Sequence, residues 1–344
     1  MRAREAGLAC GQLPPGVRNS IADVPGVRVG HATVRRGEAR TGVTAVLAHG
    51  GDLFQDKPLA AVDVLNGFGK SVGLVQVEEL GTLETPVLLT NTFAVGTCAN
   101  ALIRRAVAAN PAIGRSTGTV NPVVLECNDG FLSDIQAMAV TEADAGAAIE
   151  AASADFALGA VGAGAGMSAF GLKGGIGTAS RRIRLDGVDH HLGALVLANF
   201  GRAGDLTLPD GSRIDPGAPP AAEGGSAIVV LATDAPLLPS QCRRLAQRAT
   251  IGVARVGGLG ENGSGDIFMA FSTHNRIATA GASCEPLGVR MLPPAALTPL
   301  FEAAAEATEE AIANALCAAT TTSGIGGRVA HALPHDLLRR ALGR

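Results

Sequence analysis

The chain has 344 residues, 47% hydrophobic and 17% charged, enough apolar material for one large domain or two ordinary ones. Its net charge is −3 with both signs interspersed, and no basic run carries interleaved aromatics, which argues against nucleic acid as a partner. No apolar stretch is long enough to span a bilayer, and the opening Met1-Arg2-Ala3-Arg4-Glu5 lacks the apolar core of a signal peptide.

Apolar β-rich runs alternate with alanine-rich helical runs from one end to the other. Val43–Leu47, Val72–Val77, Pro86–Leu89 and Pro122–Leu125 read as short buried strands, with a helix expected over Cys98–Ala108. A second helix is expected over Ala143–Ala152, after the capping signal Thr141-x-x-Asp144. His191–Phe200 and Ala227–Ala232 read as two further strands, and a third helix covers Pro239–Val256. The last opens with Thr298 as N-cap and Pro299 behind it. It sets Phe301, Ala305, Thr308, Ile312 and Leu316 on one face. Strands and helices mixed along the whole length point to α/β layers.

Aromatics are only 3%, with no Trp and no Tyr, so small aliphatic side chains must pack the core. The 46 glycines fall in clusters between apolar runs, as tight loops require. Cys10, Cys98, Cys127, Cys242, Cys284 and Cys317 are scattered without a CxxC pair, which fits buried thiols in a reducing, cytoplasmic setting.

One segment breaks the rhythm. From Gly201 to Gly225 the chain is rich in Pro, Gly and Asp, and it reads as a surface loop open to cutting. It stops at Gly224-Gly225-Ser226, where the strand Ala227–Ala232 begins. A serine there can attack the carbonyl of Gly225, and cutting would leave it with both a hydroxyl and a free α-amine, a nucleophile beside its base. The same pair also reads as an ordinary turn. Further on, Gly263-Ser264-Gly265-Asp266 exposes a second hydroxyl next to a carboxylate, or else forms a hairpin turn at Asn262-Gly263 ahead of a strand Phe268–Phe271.

Several stretches together carry a resemblance. They are Ile21-Ala22-Asp23-Val24-Pro25-Gly26-Val27-Arg28-Val29-Gly30-His31, Leu89-Thr90-Asn91-Thr92, Gly164-Ala165-Gly166-Met167 and Leu172-Lys173-Gly174-Gly175-Ile176-Gly177. Gly225-Ser226, Ala232-Thr233-Asp234-Ala235-Pro236-Leu237, Gly263-Ser264-Gly265-Asp266, Ala307-Thr308-Glu309-Glu310-Ala311 and Ala332-Leu333-Pro334-His335 continue it. Over nearly its whole length the chain resembles the DmpA and β-peptidyl aminopeptidase family of self-processing serine hydrolases.

The resemblance implies a four-layer αββα sandwich of the amino-terminal-nucleophile hydrolase type, also seen in ornithine acetyltransferase. It implies one domain cut into residues 1–225 and 226–344, with Ser226 as the nucleophile. It implies that Ser264 and Asp266 tune that serine and that Asn199 donates to the oxyanion. Glu126 would hold the substrate's ammonium. The carboxylate matching Asp266 is commonly Glu in the β-peptide enzymes, so its reach is shorter here. Some members use a tyrosine near the oxyanion where this chain has Phe131, which lines a pocket but cannot donate. The expected reaction is hydrolysis of an N-terminal residue from a small peptide, amino-acid amide or ester through an acyl-enzyme, without cofactor or metal, in a homotetramer. The alternatives are acyl transfer of the ornithine acetyltransferase type, and an uncleaved binding homologue.

Other signals are discounted. Gly162-x-Gly164-x-Gly166 and Gly174-Gly175-x-Gly177 lack the spacing of nucleotide loops and suit close backbone packing. His190 and His191, adjacent on a strand, are expected on opposite faces. Asn91 and Thr92, after a strand, either line the site or form a turn.

Overall fold

The computed structural model describes residues 1–217, 225–279 and 285–341; Gly224 and Cys284 fall outside them. In chain order the longer strands are β1 (Arg28–Val34), β2 (Thr41–Leu47), β3 (Asp56–Gly67), β4 (Val87–Asn91), β5 (Val123–Cys127), β6 (Gly175–Leu185), β7 (Val188–Asn199), β8 (Ser226–Thr233) and β9 (Gly265–Ala278). The α-helices are α1 (Leu74–Leu80), α2 (Val95–Ala109), α3 (Glu142–Glu150), α4 (Pro239–Arg255), α5 (Thr298–Ala318) and α6 (His335–Ala341).

Two sheets result, one ordered β1-β2-β4-β5 and the other β3-β9-β8-β7-β6. Successive strand residues point to opposite faces, so each strand feeds two layers. Val46, Leu89 and Leu125 meet Leu197, Ile228, Val230 and Met269 between the sheets. Their neighbours Ala45, Leu88 and Val124 face Cys98, Leu102 and Ala148 of α2 and α3. On the far side Val229, Leu231 and Phe268 face Leu245, Ala249, Ala304, Ala307 and Ala311 of α4 and α5. Three apolar interfaces make four layers, the αββα sandwich expected.

Helix α5 lies so close to β6 that a Cβ at Gly177 would stand 1.9 Å from the Ala311 carbonyl oxygen, so glycine is needed there. That approach buries α5 on nearly every side, carboxylates included, rather than on the single face the spacing suggests. Thr298 is its first residue, not its cap, because a 3₁₀ turn at Pro294–Leu297 runs straight into it.

Two further expectations change. Val72–Val77 is not a strand: Val72 makes one bridge to Val124, then Gly73, at φ +86°, turns the chain into α1. Asn262-Gly263 does not close a hairpin, because β8 and β9 run parallel and α4 is their crossover. His190 and His191, consecutive in β7, each bring Nδ1 to 3.5 Å from a different carboxylate oxygen of Asp234. The glycine clusters do pack backbone on backbone, with a Cβ at Gly164 placed 2.6 Å from the Gly159 oxygen.

Candidate active site

Because β7 runs antiparallel and β9 parallel to β8, the end of β7 and the starts of β8 and β9 reach the same sheet edge. Asn199 closes β7 and pairs in register with Ser226, which opens β8; Gly265 opens β9. The end of β5 comes up from the other sheet, where the Cys127 thiol reaches the Ser226 carbonyl at 3.5 Å. Burial holds that thiol well above its ordinary range, so it is an inert neighbour.

Ser226 is buried, and its Oγ donates to the Gly225 carbonyl at 2.7 Å. The Gly265 N–H donates to both, at 3.3 Å to Ser226 Oγ and 3.2 Å to the Gly225 oxygen. Only glycine fits at 265: a Cβ there would lie 2.8 Å from the backbone of Gly69 and 3.3 Å from Ser226 Oγ. Asp266 Oδ1 accepts from Ser264 Oγ at 2.7 Å and from the Ala227 N–H at 3.0 Å. Its Oδ2 is buried without a hydrogen-bond partner among the described residues. Burial pushes this carboxyl up, and the bonds from Ser264 and Ala227 pull it partly back.

The Asn199 side chain is fixed at both ends. Oδ1 accepts from the Ser168 N–H at 3.0 Å, and Nδ2 donates to the Asn128 carbonyl at 2.9 Å. An amide nitrogen carries two hydrogens, so among the described residues one donor of Asn199 remains uncommitted. Glu126, 2% exposed near the end of β5, accepts from the Lys70 N–H at 2.7 Å and from Thr92 Oγ1. No cation pairs with it among the described residues. Gly69 bridges the two halves of the site, since a Cβ there would stand 3.5 Å from Glu126 Oε1 and 3.7 Å from Gly265 Cα.

Ser226, Ser264, Asp266, Asn199 and Glu126 are thus brought to one edge. Phe131 lies on the loop after β5, half-buried, with the Arg328 guanidinium 5.9 Å above its ring. No described contact links its ring to Ser226 or to the other four. Of the two residues left between pocket and turn, Thr92 reaches Glu126, while Asn91 donates to Thr41 at 2.8 Å and caps the turn into α2.

Sequence reasoning passed over Lys173 and Asp129. Lys173 is fully buried and donates to the carbonyls of Gly164, Met167 and Gly174 at 2.8, 2.6 and 2.9 Å. Burial lowers it to about 7. Asp129 is fully buried too, with neither oxygen hydrogen-bonded among the described residues, and burial raises it to about 7. The one signal was a charge beside a glycine, Lys173 before Gly174-Gly175 and Asp129 before Gly130.

The model for peptidase family S58 matches residues 19–330. The chain belongs to that family. It is a hydrolase, a serine aminopeptidase, and the acyltransferase alternative is not favoured. Over 99% of this chain and 91% of the relative, it is 41% identical to a β-peptidyl aminopeptidase of Sphingosinicella microcystinivorans. A Pyrococcus horikoshii OT3 protein of known crystal structure superposes with a TM-score of 0.94 at 47% identity, covering 100% of this chain and 99% of that one. The L-aminopeptidase D-Ala-esterase/amidase of Ochrobactrum anthropi, described as a variant of the Ntn hydrolase fold, gives 0.92 at 38% identity, over 99% and 98%. Among the described residues, no helix is long and apolar enough to cross a membrane and no His, Cys, Asp or Glu cluster is set to hold a metal.

Proposed function

We propose that this S58 peptidase cuts its own chain between Gly225 and Ser226 and then uses Ser226 to remove N-terminal residues from short peptides, amides and esters. The observation that carries this is the Gly265 N–H, shared between Ser226 Oγ and the Gly225 carbonyl oxygen. It holds nucleophile and acceptor together and offers a donor to the oxygen on which charge develops. Oγ attacks the Gly225 carbon and its proton passes to the Ser226 nitrogen, the C–N bond breaks with its electron pair on that nitrogen, and water opens the ester to give the Gly225 carboxylate and restore the Ser226 hydroxyl. Residues 1–225 and 226–344 stay together through the shared sheet.

In the cut enzyme the Ser226 α-amine takes the proton from Oγ as it attacks a substrate. Asp266, whose Oδ1 accepts from the N–H of Ala227, the residue after Ser226, and from Ser264 Oγ, steadies the amine when charged. The spare Asn199 N–H receives the substrate oxyanion, a contact worth roughly 3–4 kcal/mol in the transition state. Glu126, a buried carboxylate with only neutral donors, takes the substrate's ammonium. Phe131 lines the pocket and donates nothing. No step calls for a cofactor.

The relatives' β-peptidyl, L- and D-residue activities define the substrate panel. Assembly as a homotetramer is what the family resemblance implies, and the five described cysteines, all buried and free, suit a reducing, cytoplasmic compartment. Rapid quenching against an amino-acid ester tests the nucleophile. An acyl adduct on the peptide beginning at Ser226 is expected; an adduct elsewhere, or none during turnover, overturns the assignment.

A further inference from the structure

Asn199 can stabilise an oxyanion only if its amide points nitrogen-first towards the substrate. An amide turned over would present an acceptor there. The orientation is selected from both sides, by the Asn128 carbonyl that accepts from Nδ2 at 2.9 Å and by a donor at Oδ1, the Ser168 N–H at 3.0 Å. That N–H belongs to the Met167–Ser168 peptide unit, and the carbonyl of the same unit accepts from Lys173 Nζ at 2.6 Å. An ammonium, a peptide unit and a side-chain amide are therefore linked in line. Each hydrogen bond in such a chain polarises the next, and one that starts from a charge does so most strongly.

The placement of the lysine fits this task. All three ammonium hydrogens are spent on backbone carbonyls, Gly164 and Met167 on one side of the turn and Gly174 on the other. No carboxylate reaches ion-pair distance among the described residues. A buried cation without an ion partner is costly, and a turn that only had to be held shut has cheaper means. Here the turn is already laced by backbone: Ser168 pairs with Lys173, the Gly174 N–H donates to the Met167 carbonyl at 3.0 Å, and the Lys173 N–H donates to the His331 carbonyl at 2.7 Å.

We propose that Lys173 is a positioning residue for hydrolysis: its ammonium, acting through the Met167–Ser168 peptide unit, orients and polarises the Asn199 amide. This rests on Asn199 being the oxyanion donor.

The test is a double-mutant cycle on the processed enzyme with an amino-acid p-nitroanilide, reading kcat and KM separately. Lys173→Gln should lose kcat by up to about a hundredfold, the scale of a slightly misplaced catalytic group. KM should stay within about twofold, since Glu126 is untouched. The double variant Asn199→Ala/Lys173→Gln should be no slower than Asn199→Ala, because the lysine acts only through that amide. Losses that multiply, or a Lys173→Gln enzyme with wild-type kcat beside a crippled Asn199→Ala, overturn the inference. If Asn199→Ala keeps wild-type kcat, the oxyanion assignment itself has failed, a separate result. Should Lys173→Gln not fold or not process, Lys173→Arg restores a cation at the same carbonyl. Recovered kcat supports the role, and a folded, processed Arg variant as slow as Asn199→Ala refutes it.

Discussion

Two regions of this protein bury charge, and they handle it in opposite ways. Behind the outer face of β6, Arg181 is fully buried between Glu306 and Glu310 of α5, at 2.8 and 2.9 Å. Arg4 adds a second cation to Glu310 at 2.7 Å, and the Gln12 and Leu13 N–H groups fill the rest of Glu306. Every charge there has an internal answer, so the cluster can only be structural. At the sheet edge, Glu126, Asp266, Asp129 and Lys173 are just as enclosed, yet none has an ion partner among the described residues. A fold keeps such ionisable groups without a counter-charge where something else will meet them, and they cluster at working sites.

Breaking the closed cluster should give the largest effect. Glu306→Ala strands Arg181 and two backbone donors, and should cost about 3–5 kcal/mol of stability. A fall in the urea midpoint would register it, while KM of the enzyme still folded should not change. Glu126→Gln should do the reverse. Melting temperature should hold or rise, whereas kcat/KM for substrates with a free amine should fall about a hundredfold, the scale of one partner lost from a buried charge pair. An N-acetylated substrate, poorly cleaved by wild type, should be indifferent to the change.

The third effect concerns pH. Asp129 sits at about 7 in the fold, above its ordinary 3.8. The native state therefore holds a proton that the unfolded chain releases between about pH 4 and 7, and stability declines across that window. Asp129→Asn removes the decline, so its melting temperature should gain on wild type from pH 4 to 7. About 2–4 °C should appear for each kcal/mol relieved. A constant gap would mean that Asp129 does not titrate there.

The same contrast marks how far the sequence could be read. Strands β2, β4, β5, β7 and β8 and helices α2 to α4 were legible because their apolar periodicity is local. Helix α5 was legible as a helix, but its burial was not: Glu306 and Glu310 look like a solvent face until Arg181 and Arg4, more than a hundred residues away, are folded against them. Ser226, Ser264, Asp266, Asn199 and Glu126 stood out through resemblance, with no local pattern that separates them from turn residues. Lys173 escaped because its work is done through carbonyls, which leave no trace in side-chain spacing.

Catalysis by this route requires Ser226 to become an amino terminus. Intact mass of wild type and of Ser226→Ala, purified alike, measures this directly. The wild type should give the masses of residues 1–225 and 226–344, and the variant a single uncut chain. A wild type that stays whole, or a Ser226→Ala chain still cut before residue 226, would contradict it.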